Sequence, residues 1–384
     1  MITHLDRPAT TSLLLGLMLS FMGPYAYGQA APEGGFPSYA PLLSADAPWP
    51  DDGRETLLTF VHLTDPHVGR RSDAEAFAIA IEAIERLDPQ PAFVVITGDL
   101  TESFRHAEVL YLKNLVDRFT LPVLLVPGNH DVGFDPTPDT IAKWNAAFPK
   151  FATPYQRDFG PLRIVAMDAQ LYNARRSNKE VNRIADRQWW DMIKLLKAAK
   201  REGRRTIMAY HIPIVPNFFR QRVSGSWRTA DMKRMRKALS SNDVEATLTG
   251  HLHRDETYLE DKTWMLNAPP ISLKYEREPS YRLFRVTSSG LMFRQVYLTE
   301  EGSSLSYQMD LHEGRPERVD QGVDAMSVSE LQSLWGYRYA GDVGTDRLFR
   351  DLNVSAFTRF LRDPFSLQPQ DGRTRFFRQD ARPR

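Results

Sequence analysis

Hydrophobic and polar residues alternate in two different periods between residues 56 and 298. Short runs rich in apolar and β-branched residues predict strands, beginning with Leu57–Leu63 and Ala92–Thr97. Between these runs, apolar residues recur at helical spacing, as in Ala74–Leu87, and predict amphipathic helices. Strands that alternate with helices are typical of an α/β domain with a largely parallel or mixed sheet. Such a sheet needs helices on both faces, or a second sheet, to cover it.

The same two periods predict further elements along this region. The predicted helices are Glu102–Phe119 and Asp186–Arg201, and the predicted strands are Val123–Val126, Arg163–Met167, Arg205–Tyr210, Val244–Leu248, Thr263–Leu266, Tyr281–Val286 and Leu291–Leu298. The last three strands follow one another without a helical stretch between them. They therefore predict a terminal β-meander.

The N-terminal segment has a different pattern. Arg7 precedes an apolar run, Leu13–Met22, and small residues follow at Ala26, Gly28 and Ala30. This order is typical of a secretory signal peptide, and it predicts cleavage after Gly28 or Ala30. Export to the bacterial periplasm or secretion follows from that interpretation. The alternative is a disordered tail or an uncleaved anchor, although the apolar run is short for a bilayer span.

Composition divides the chain into four parts. Residues 1–30 are the predicted signal peptide, and residues 31–55, rich in Pro, Gly, Ala and Ser, are a predicted linker. Residues 56–300 form the main domain. Residues 301–384 contain no Lys, many Arg and Asp, and little periodicity. This C-terminal extension could cap a site, form a homodimer contact or cover a sheet edge.

The overall composition excludes several classes of protein. Of 384 residues, 42% are hydrophobic and 25% are charged, as in ordinary globular chains. The 49 basic and 48 acidic residues nearly cancel, so there is no clear signal for a nucleic-acid or membrane surface. The absence of cysteine excludes disulfides, thiolate metal sites and thiol nucleophiles. Any bound metal must be held by His, Asp, Glu or Asn.

Polar residues that can bind metal follow five of the predicted strands. In chain order they are Thr64-Asp65-Pro66-His67, Gly98-Asp99, Gly128-Asn129-His130-Asp131, His211, and Gly250-His251-Leu252-His253. Ligands of open α/β sheets bind beyond the carboxyl ends of the strands. Each motif alone also fits an ordinary loop or turn. The ordered set favours a shared metal site, because burying so many unpaired polar groups would otherwise be costly.

This ordered set of motifs resembles the calcineurin-like metallophosphoesterase superfamily. The motifs and their spacing are most similar to those of bacterial class III cyclic-nucleotide phosphodiesterases. The resemblance covers roughly residues 57–300. It implies an α/β fold with four layers, an α/β/β/α sandwich in which two mixed sheets pack face to face with helices outside. Residues 56–300 would then be the catalytic domain.

The resemblance also implies a role for each motif residue. Asp65, His67 and His253 would bind a first metal ion; Asn129, His211 and His251 would bind a second; and Asp99 would bridge the two. Imidazole and carboxylate ligands suit Mn, Fe, Zn or Co, and Mg is compatible. In such a two-metal centre a bridging hydroxide attacks phosphorus in line.

Two further residues follow from the Gly-Asn-His-Asp motif. The resemblance implies that His130 helps the alkoxide to leave, and that Asp131 orients His130. Asp131 fits equally well as a residue that caps the turn. These two interpretations stay open at the level of sequence.

Differences from the motifs of related enzymes restrict the activities that we expect of this chain. Glu102 occupies the position of the tyrosine ligand of purple acid phosphatases, three residues beyond the Gly-Asp aspartate, so an iron–tyrosinate enzyme is not expected. We expect a phosphodiesterase with a small phosphate-ester substrate. One alternative is a phosphomonoesterase or nucleotidase with the same metals. Another is a non-catalytic binding protein on the same fold.

Substrate contacts are expected from two polar insertions, residues 170–183 and 213–227. Both carry arginines, and the second also carries aromatic residues, a combination that suits a base or aromatic leaving group beside a phosphate. The alternative is a solvated, charged loop with a few packing aromatics. The candidate substrate-binding residues are Arg175, Arg176, Phe218, Arg220 and Trp227.

Overall fold

The computed structural model of this chain describes residues 45, 47–49, 51–172, 178–214, 232–253, 256–273, 279–298 and 304–312. Within these residues the chain forms twelve strands and six α-helices. The strands are β1 (Thr56–Leu63), β2 (Val94–Thr97), β3 (Val123–Val126), β4 (Tyr155–Phe159), β5 (Leu162–Ala166), β6 (Arg205–Ala209), β7 (Val244–Thr249), β8 (Glu256–Glu260), β9 (Thr263–Asn267), β10 (Ser280–Thr287), β11 (Gly290–Leu298) and β12 (Ser304–His312). The helices are α1 (Arg71–Glu85), α2 (His106–Val116), α3 (Asn129–Val132), α4 (Pro138–Ala147), α5 (Lys179–Arg201) and α6 (Met232–Ser241).

The strands form two six-stranded mixed sheets. The first sheet has the order β12-β11-β10-β1-β2-β3, with β1, β2 and β3 parallel and β10 to β12 antiparallel. The second has the order β4-β5-β6-β7-β9-β8, with β5, β6, β7 and β9 parallel between two antiparallel edge strands. In each sheet the parallel strands have their carboxyl ends at one edge.

Successive side chains of a strand point to opposite faces, and each sheet therefore packs on two cores. In β1, Phe60 lies in the core between the sheets, whereas Val61 packs toward the helices. Phe60 stacks between Phe93 and Phe284, with ring centroids 4.9 and 4.6 Å apart. Helices α1, α2 and α4 cover the first sheet, and α5 and α6 cover the second. The predicted four-layer α/β/β/α sandwich is confirmed.

Helix α5 begins earlier than its hydrophobic pattern predicts. The pattern predicts a start at Asp186, but the helix begins at Lys179 because the Asn178 side chain accepts hydrogen bonds from the N–H groups of Glu180 and Val181. Charged residues of the first turns interrupt the apolar period there. The buried face is Val181, Ala185, Gln188, Trp189, Met192, Leu196 and Ala199.

The predicted start of helix α2 at Glu102 is also wrong. The backbone N–H groups of Ser103 and Arg105 donate to the Glu108 carboxylate at 2.9 and 3.2 Å, and this carboxylate caps the helix so that α2 begins at His106. Phe104 has a left-handed φ of 51°, which a helix cannot contain. Glu102 therefore lies in the loop that follows β2.

The predicted terminal meander is correct only in part. Strands β10 and β11 are antiparallel neighbours, and β12 continues the meander beyond residue 300. Strand β9 instead belongs to the second sheet, parallel to β7. A hydrophobic run identifies a strand without identifying its neighbours, because pairing depends on residues far away in the chain.

Part of the predicted linker packs on the first sheet. Arg294 is buried on β11, and its guanidinium donates to the carbonyl groups of Ala45 (3.2 Å), Ala47 and Pro48 (2.8 Å). It also lies 4.1 Å from the centroid of the Trp49 ring. One buried arginine thus holds the chain that precedes β1 against the sheet.

Several predicted segments lie outside the described residues. They include the signal peptide (1–30), most of the linker before residue 45, and the extension after His312. These assignments stay predictions. Within the described part of the chain, no helix has both the length and the hydrophobicity needed to cross a bilayer.

We expect Arg294→Ala to lower the free energy of unfolding by about 3 kcal/mol, because it removes charge-assisted hydrogen bonds and leaves buried carbonyl groups without their donor. Urea unfolding of the two proteins measures the difference. The control is Arg71→Ala, which removes an exposed arginine paired with Glu75 and should change stability by no more than about 0.5 kcal/mol. Equal stability losses in the two variants would contradict the anchoring role.

Candidate metal centre

The five predicted motifs lie together at the carboxyl ends of the parallel strands, where the two sheets approach each other. Strands β1, β2 and β3 contribute from the first sheet, and β6 and β7 contribute from the second. Backbone hydrogen bonds join the loops, from Asp65 N to Gly98 O at 3.1 Å and from Gly250 N to His211 O at 3.0 Å. Loops far apart in sequence therefore form one site.

The first group of side chains consists of Asp65, His67, Asp99 and His253, whose ligand atoms lie within 4.8 Å of one another. His253 Nε2 lies 3.1 Å from Asp65 Oδ1 and 3.2 Å from His67 Nε2. His67 Nε2 is 3.7 Å from Asp99 Oδ2. All four residues are buried. Their nitrogen and oxygen atoms converge on one point, as a divalent cation requires.

The second group shares Asp99 with the first. It contains Asp99, His211 and His251, again within 4.8 Å of one another. His211 Nε2 is 3.2 Å from Asp99 Oδ2 and 3.2 Å from the Asn129 amide oxygen. Imidazole nitrogens and carboxylate and amide oxygens form a donor set that suits borderline divalent metals. The structure brings all seven predicted ligands together, and their ligand role stays a prediction.

Most of the predicted ligands have a strained backbone. Positive φ angles occur at Asp65 (53°), His67 (46°), Asp99 (47°), His251 (69°) and His253 (52°). Each such residue costs about 1–3 kcal/mol, and such strain clusters at functional sites. Hydrogen bonds between loops offset part of this cost, such as that from His67 N to Asp99 O at 2.9 Å. The left-handed conformation turns the chain sharply after β1, β2 and β7, and the side chains of these five residues come together at the site.

The motif glycines leave space for the carboxylates. A Cβ atom on Gly128 would overlap the backbone nitrogen and the carboxylate of Asp99. A Cβ atom on Gly250 would overlap the hydroxyl of Thr64 and the carboxylate of Asp65, which are joined by a 2.7 Å hydrogen bond. These two positions therefore require glycine, because the loop packs so closely against an acidic side chain that a Cβ atom does not fit.

Opposite charges control the protonation of the cluster. Burial raises the pKa of Asp65 and of Asp99, but the neighbouring histidines outweigh burial and hold both pKa values below their usual range. Burial lowers the pKa of His211, but Asp99 and Asp65 raise it to about 9. Burial, with the charge of His211, lowers the pKa of His251 to about 3. Both carboxylates therefore stay ionised and available to a cation, and His211 must lose a proton to bind one.

His130 stands at the accessible side of the cluster. Its side chain is 29% exposed, and its Nε2 atom lies 3.9 Å from Asp99 Oδ2. Its backbone N–H donates to Asp99 Oδ1 at 2.8 Å. Its Nδ1 atom lies 2.7 Å from the carbonyl oxygen of Glu102. This carbonyl orients the imidazole, a role that one interpretation of the sequence assigns to Asp131.

Asp131 has the interactions of a capping residue. Its carboxylate accepts hydrogen bonds from the backbone N–H groups of Gly128 (2.8 Å), Leu100 (3.0 Å) and Thr101 (3.1 Å), and from the Thr101 hydroxyl (3.1 Å). The loops that follow β2 and β3 are joined through it. Of the two interpretations of Asp131 that the sequence leaves open, these contacts favour the cap.

Sequence reasoning missed three residues near this cluster. The Glu102 carboxylate lies 3.0 Å from His67 Nδ1, and the exposed Phe134 ring lies 5.7 Å from the ring of His251. Asp168 is buried after β5, where burial raises its pKa to about 7. Asp168 follows a predicted strand and could have been found by that pattern.

The five candidate substrate-binding residues, Arg175, Arg176, Phe218, Arg220 and Trp227, lie outside the described residues.

Known proteins share both the sequence pattern and the fold. The family model described as calcineurin-like phosphoesterase matches residues 58–255. The serine/threonine-protein phosphatase CPPED1 of Homo sapiens is 26% identical over 238 residues, which are 58% of this chain and 72% of the relative. The 3',5'-cyclic adenosine monophosphate phosphodiesterase CpdA of Haemophilus influenzae is 20% identical over 260 residues, which are 64% of this chain and 88% of the relative.

Among solved structures, a dimetal phosphatase of Danio rerio superposes with a TM-score of 0.53 at 12% identity. The aligned part covers 68% of this chain and 100% of that structure. At this level of identity the similarity shows the fold alone.

We expect Gly250→Ala to bind less Mn²⁺ than the unchanged protein, because the added methyl group displaces Asp65. Metal content after dialysis against Mn²⁺ measures this. The control is Gly203→Ala, where φ is +64° but no atom lies within 4 Å of the added carbon. That variant should lose about 1 kcal/mol of stability and keep its metal. A Gly250→Ala protein with normal metal content would contradict the packing requirement.

Proposed function

Because the chain belongs to the calcineurin-like phosphoesterase family, we propose that it is a metal-dependent hydrolase of phosphoric esters and that it prefers phosphodiesters. The observation that carries this proposal is that two clusters of acidic and imidazole side chains share the buried carboxylate of Asp99. A shared carboxylate between two ligand sets is the arrangement that a two-metal hydrolytic site needs.

The donor sets fit two divalent cations. Asp65, His67, Asp99 and His253 would hold one ion, and Asp99, Asn129, His211 and His251 would hold the other. Mn, Fe, Zn, Co and Mg are all compatible with these ligands. When bound, such ions neutralise charge on phosphoryl oxygens and lower the pKa of a water molecule that serves as the nucleophile.

His130 is the proposed proton donor to the leaving group. Since a backbone carbonyl only accepts hydrogen bonds, the contact with Glu102 O requires the proton on His130 Nδ1. Nε2 is then the atom that can carry a second proton toward the substrate. When the ester P–O bond breaks, His130 gives that proton to the departing alkoxide oxygen, which leaves as an alcohol.

Two observations favour a diester over a monoester. Phe134 offers an apolar ring beside His251, where the substituent that stays on phosphorus could pack. The similarity to a cyclic AMP phosphodiesterase points the same way. The second candidate is a phosphomonoesterase, which the similarity to a serine/threonine-protein phosphatase favours.

We expect the purified protein, stripped by chelator and reloaded with Mn²⁺, to hydrolyse a bis-aryl phosphate with a kcat/KM at least about tenfold above that for the mono-aryl phosphate. That ratio corresponds to about 1.4 kcal/mol of transition-state stabilisation. The reverse preference would establish the monoesterase. Failure to hydrolyse either ester with metal bound would favour the non-catalytic binding protein.

We expect His130→Ala to lower kcat by about 10²–10⁴-fold without loss of bound Mn²⁺, because the variant lacks only the proton donor. Asp99→Asn should lose both activity and metal. His106→Ala serves as the control, since His106 is exposed at the start of α2 and should leave both properties unchanged. Unchanged kcat in His130→Ala would exclude the assigned role.

A further inference from the structure

Glu102 contacts both a predicted metal ligand and the proposed proton donor. Its carboxylate Oε2 lies 3.0 Å from His67 Nδ1, and its backbone carbonyl oxygen lies 2.7 Å from His130 Nδ1. The Glu102 side chain is 27% exposed, whereas that of His67 is only 1% exposed. The two imidazole rings meet edge to face, with centroids 4.6 Å apart. One residue therefore touches two rings with separate roles.

The carboxylate and the backbone carbonyl of Glu102 determine which nitrogen of each imidazole carries the proton. A backbone carbonyl and an ionised carboxylate accept hydrogen bonds and cannot donate them. His67 and His130 must therefore carry protons on Nδ1. The lone pair of neutral His67 is then on Nε2, the atom that faces Asp65 Oδ1 at 3.8 Å and His253 Nε2 at 3.2 Å. A carboxylate on the far nitrogen of a ligand histidine fixes its tautomer and raises its basicity.

The surrounding loops hold Glu102 in this position. Its backbone N–H donates to Val68 O at 3.2 Å, and Val68 N donates to Leu100 O at 2.9 Å, so the loops after β1 and β2 are joined. A Cβ atom on Gly69 would lie 2.6 Å from the Cβ of Glu102, which is too close for any side chain there. Glu102 is thus packed against the motif that supplies His67.

We propose that Glu102 is a positioning residue that links the metal centre to the proton donor. Its carboxylate holds His67 in the metal-binding tautomer, and its backbone carbonyl orients His130. This inference rests on the proposed function for the roles of the two histidines. Glu102 contacts His67 and His130, whereas His211 and His251 belong to the second group of ligands. Removal of the carboxylate should therefore affect one metal ion and spare the other.

The test is calorimetric titration of Mn²⁺ into the metal-free full-length protein and into Glu102→Gln and Glu102→Ala. We expect one of the two binding steps to weaken by about 10–100-fold, with the larger loss in Glu102→Ala, because glutamine keeps an acceptor but loses the charge. The other step should stay within about twofold. The control Glu82→Gln removes an exposed carboxylate paired with Arg118 and should change neither step.

A second measurement needs neither metal nor turnover. In ¹⁵N–¹H correlation spectra of the metal-free protein, we expect His67 and His130 to be protonated on Nδ1. In Glu102→Ala, His67 should shift toward the Nε2–H tautomer, while His130 keeps Nδ1–H because its acceptor is a backbone group. A structural defect would move both rings together.

Unchanged metal affinity and an unchanged His67 tautomer in both Glu102 variants would overturn the inference. Equal weakening of both binding steps, with a lowered melting temperature, would also overturn it, because that result indicates loosened folding. If the wild-type protein binds two ions but hydrolyses no phosphate ester, the proposed function fails, whereas the calorimetric and spectroscopic results still decide the role of the Glu102 carboxylate.

Discussion

The site depends on the buried carboxylate of Asp99, to which both sheets bring a partner. His67 and His130 approach it from the ends of β1 and β3, and His211 approaches it from the end of β6 in the second sheet. A carboxylate can stay charged in the interior only when cationic or donor groups surround it. The face-to-face packing of the sheets supplies those groups. The apolar core between the sheets is therefore what holds the two ligand groups together.

The strained backbone of the ligand loops is the second feature of this arrangement. A left-handed residue after a strand turns the chain sharply, and five of the predicted ligands, Asp65, His67, Asp99, His251 and His253, have this conformation themselves. This strain persists because three cores support the strands and because hydrogen bonds join the loops to one another. The close approach of the loops also explains the glycines at positions 128 and 250, because without side chains Gly128 and Gly250 can lie against the carboxylates.

The contacts of Glu102 and Asp131 show that local patterns do not identify the partners of a side chain in the candidate site. The hydrophobic pattern predicts a helix that begins at Glu102, but the Glu108 cap places the helix start at His106, and Glu102 lies in the preceding loop beside His67. Asp131 follows His130 in the chain, yet its carboxylate joins two loops through backbone N–H groups. Adjacency in sequence is a poor guide to the partner of a side chain in a sharp turn.

The sequence by itself determined the fold class, the four layers implied by its resemblance, and the seven side chains that gather at the strand ends. The fold class and the site residues follow from local patterns, namely a strand period, a helical period and polar residues placed directly after a strand, whereas the four layers are what the resemblance implies. Only the tertiary structure decided that β9 joins the second sheet, that Arg294 anchors the chain before β1, and that Glu102 contacts two histidines. Each of these depends on pairing between residues distant in the chain. Such pairings follow from packing and loop geometry, which no single stretch of sequence contains.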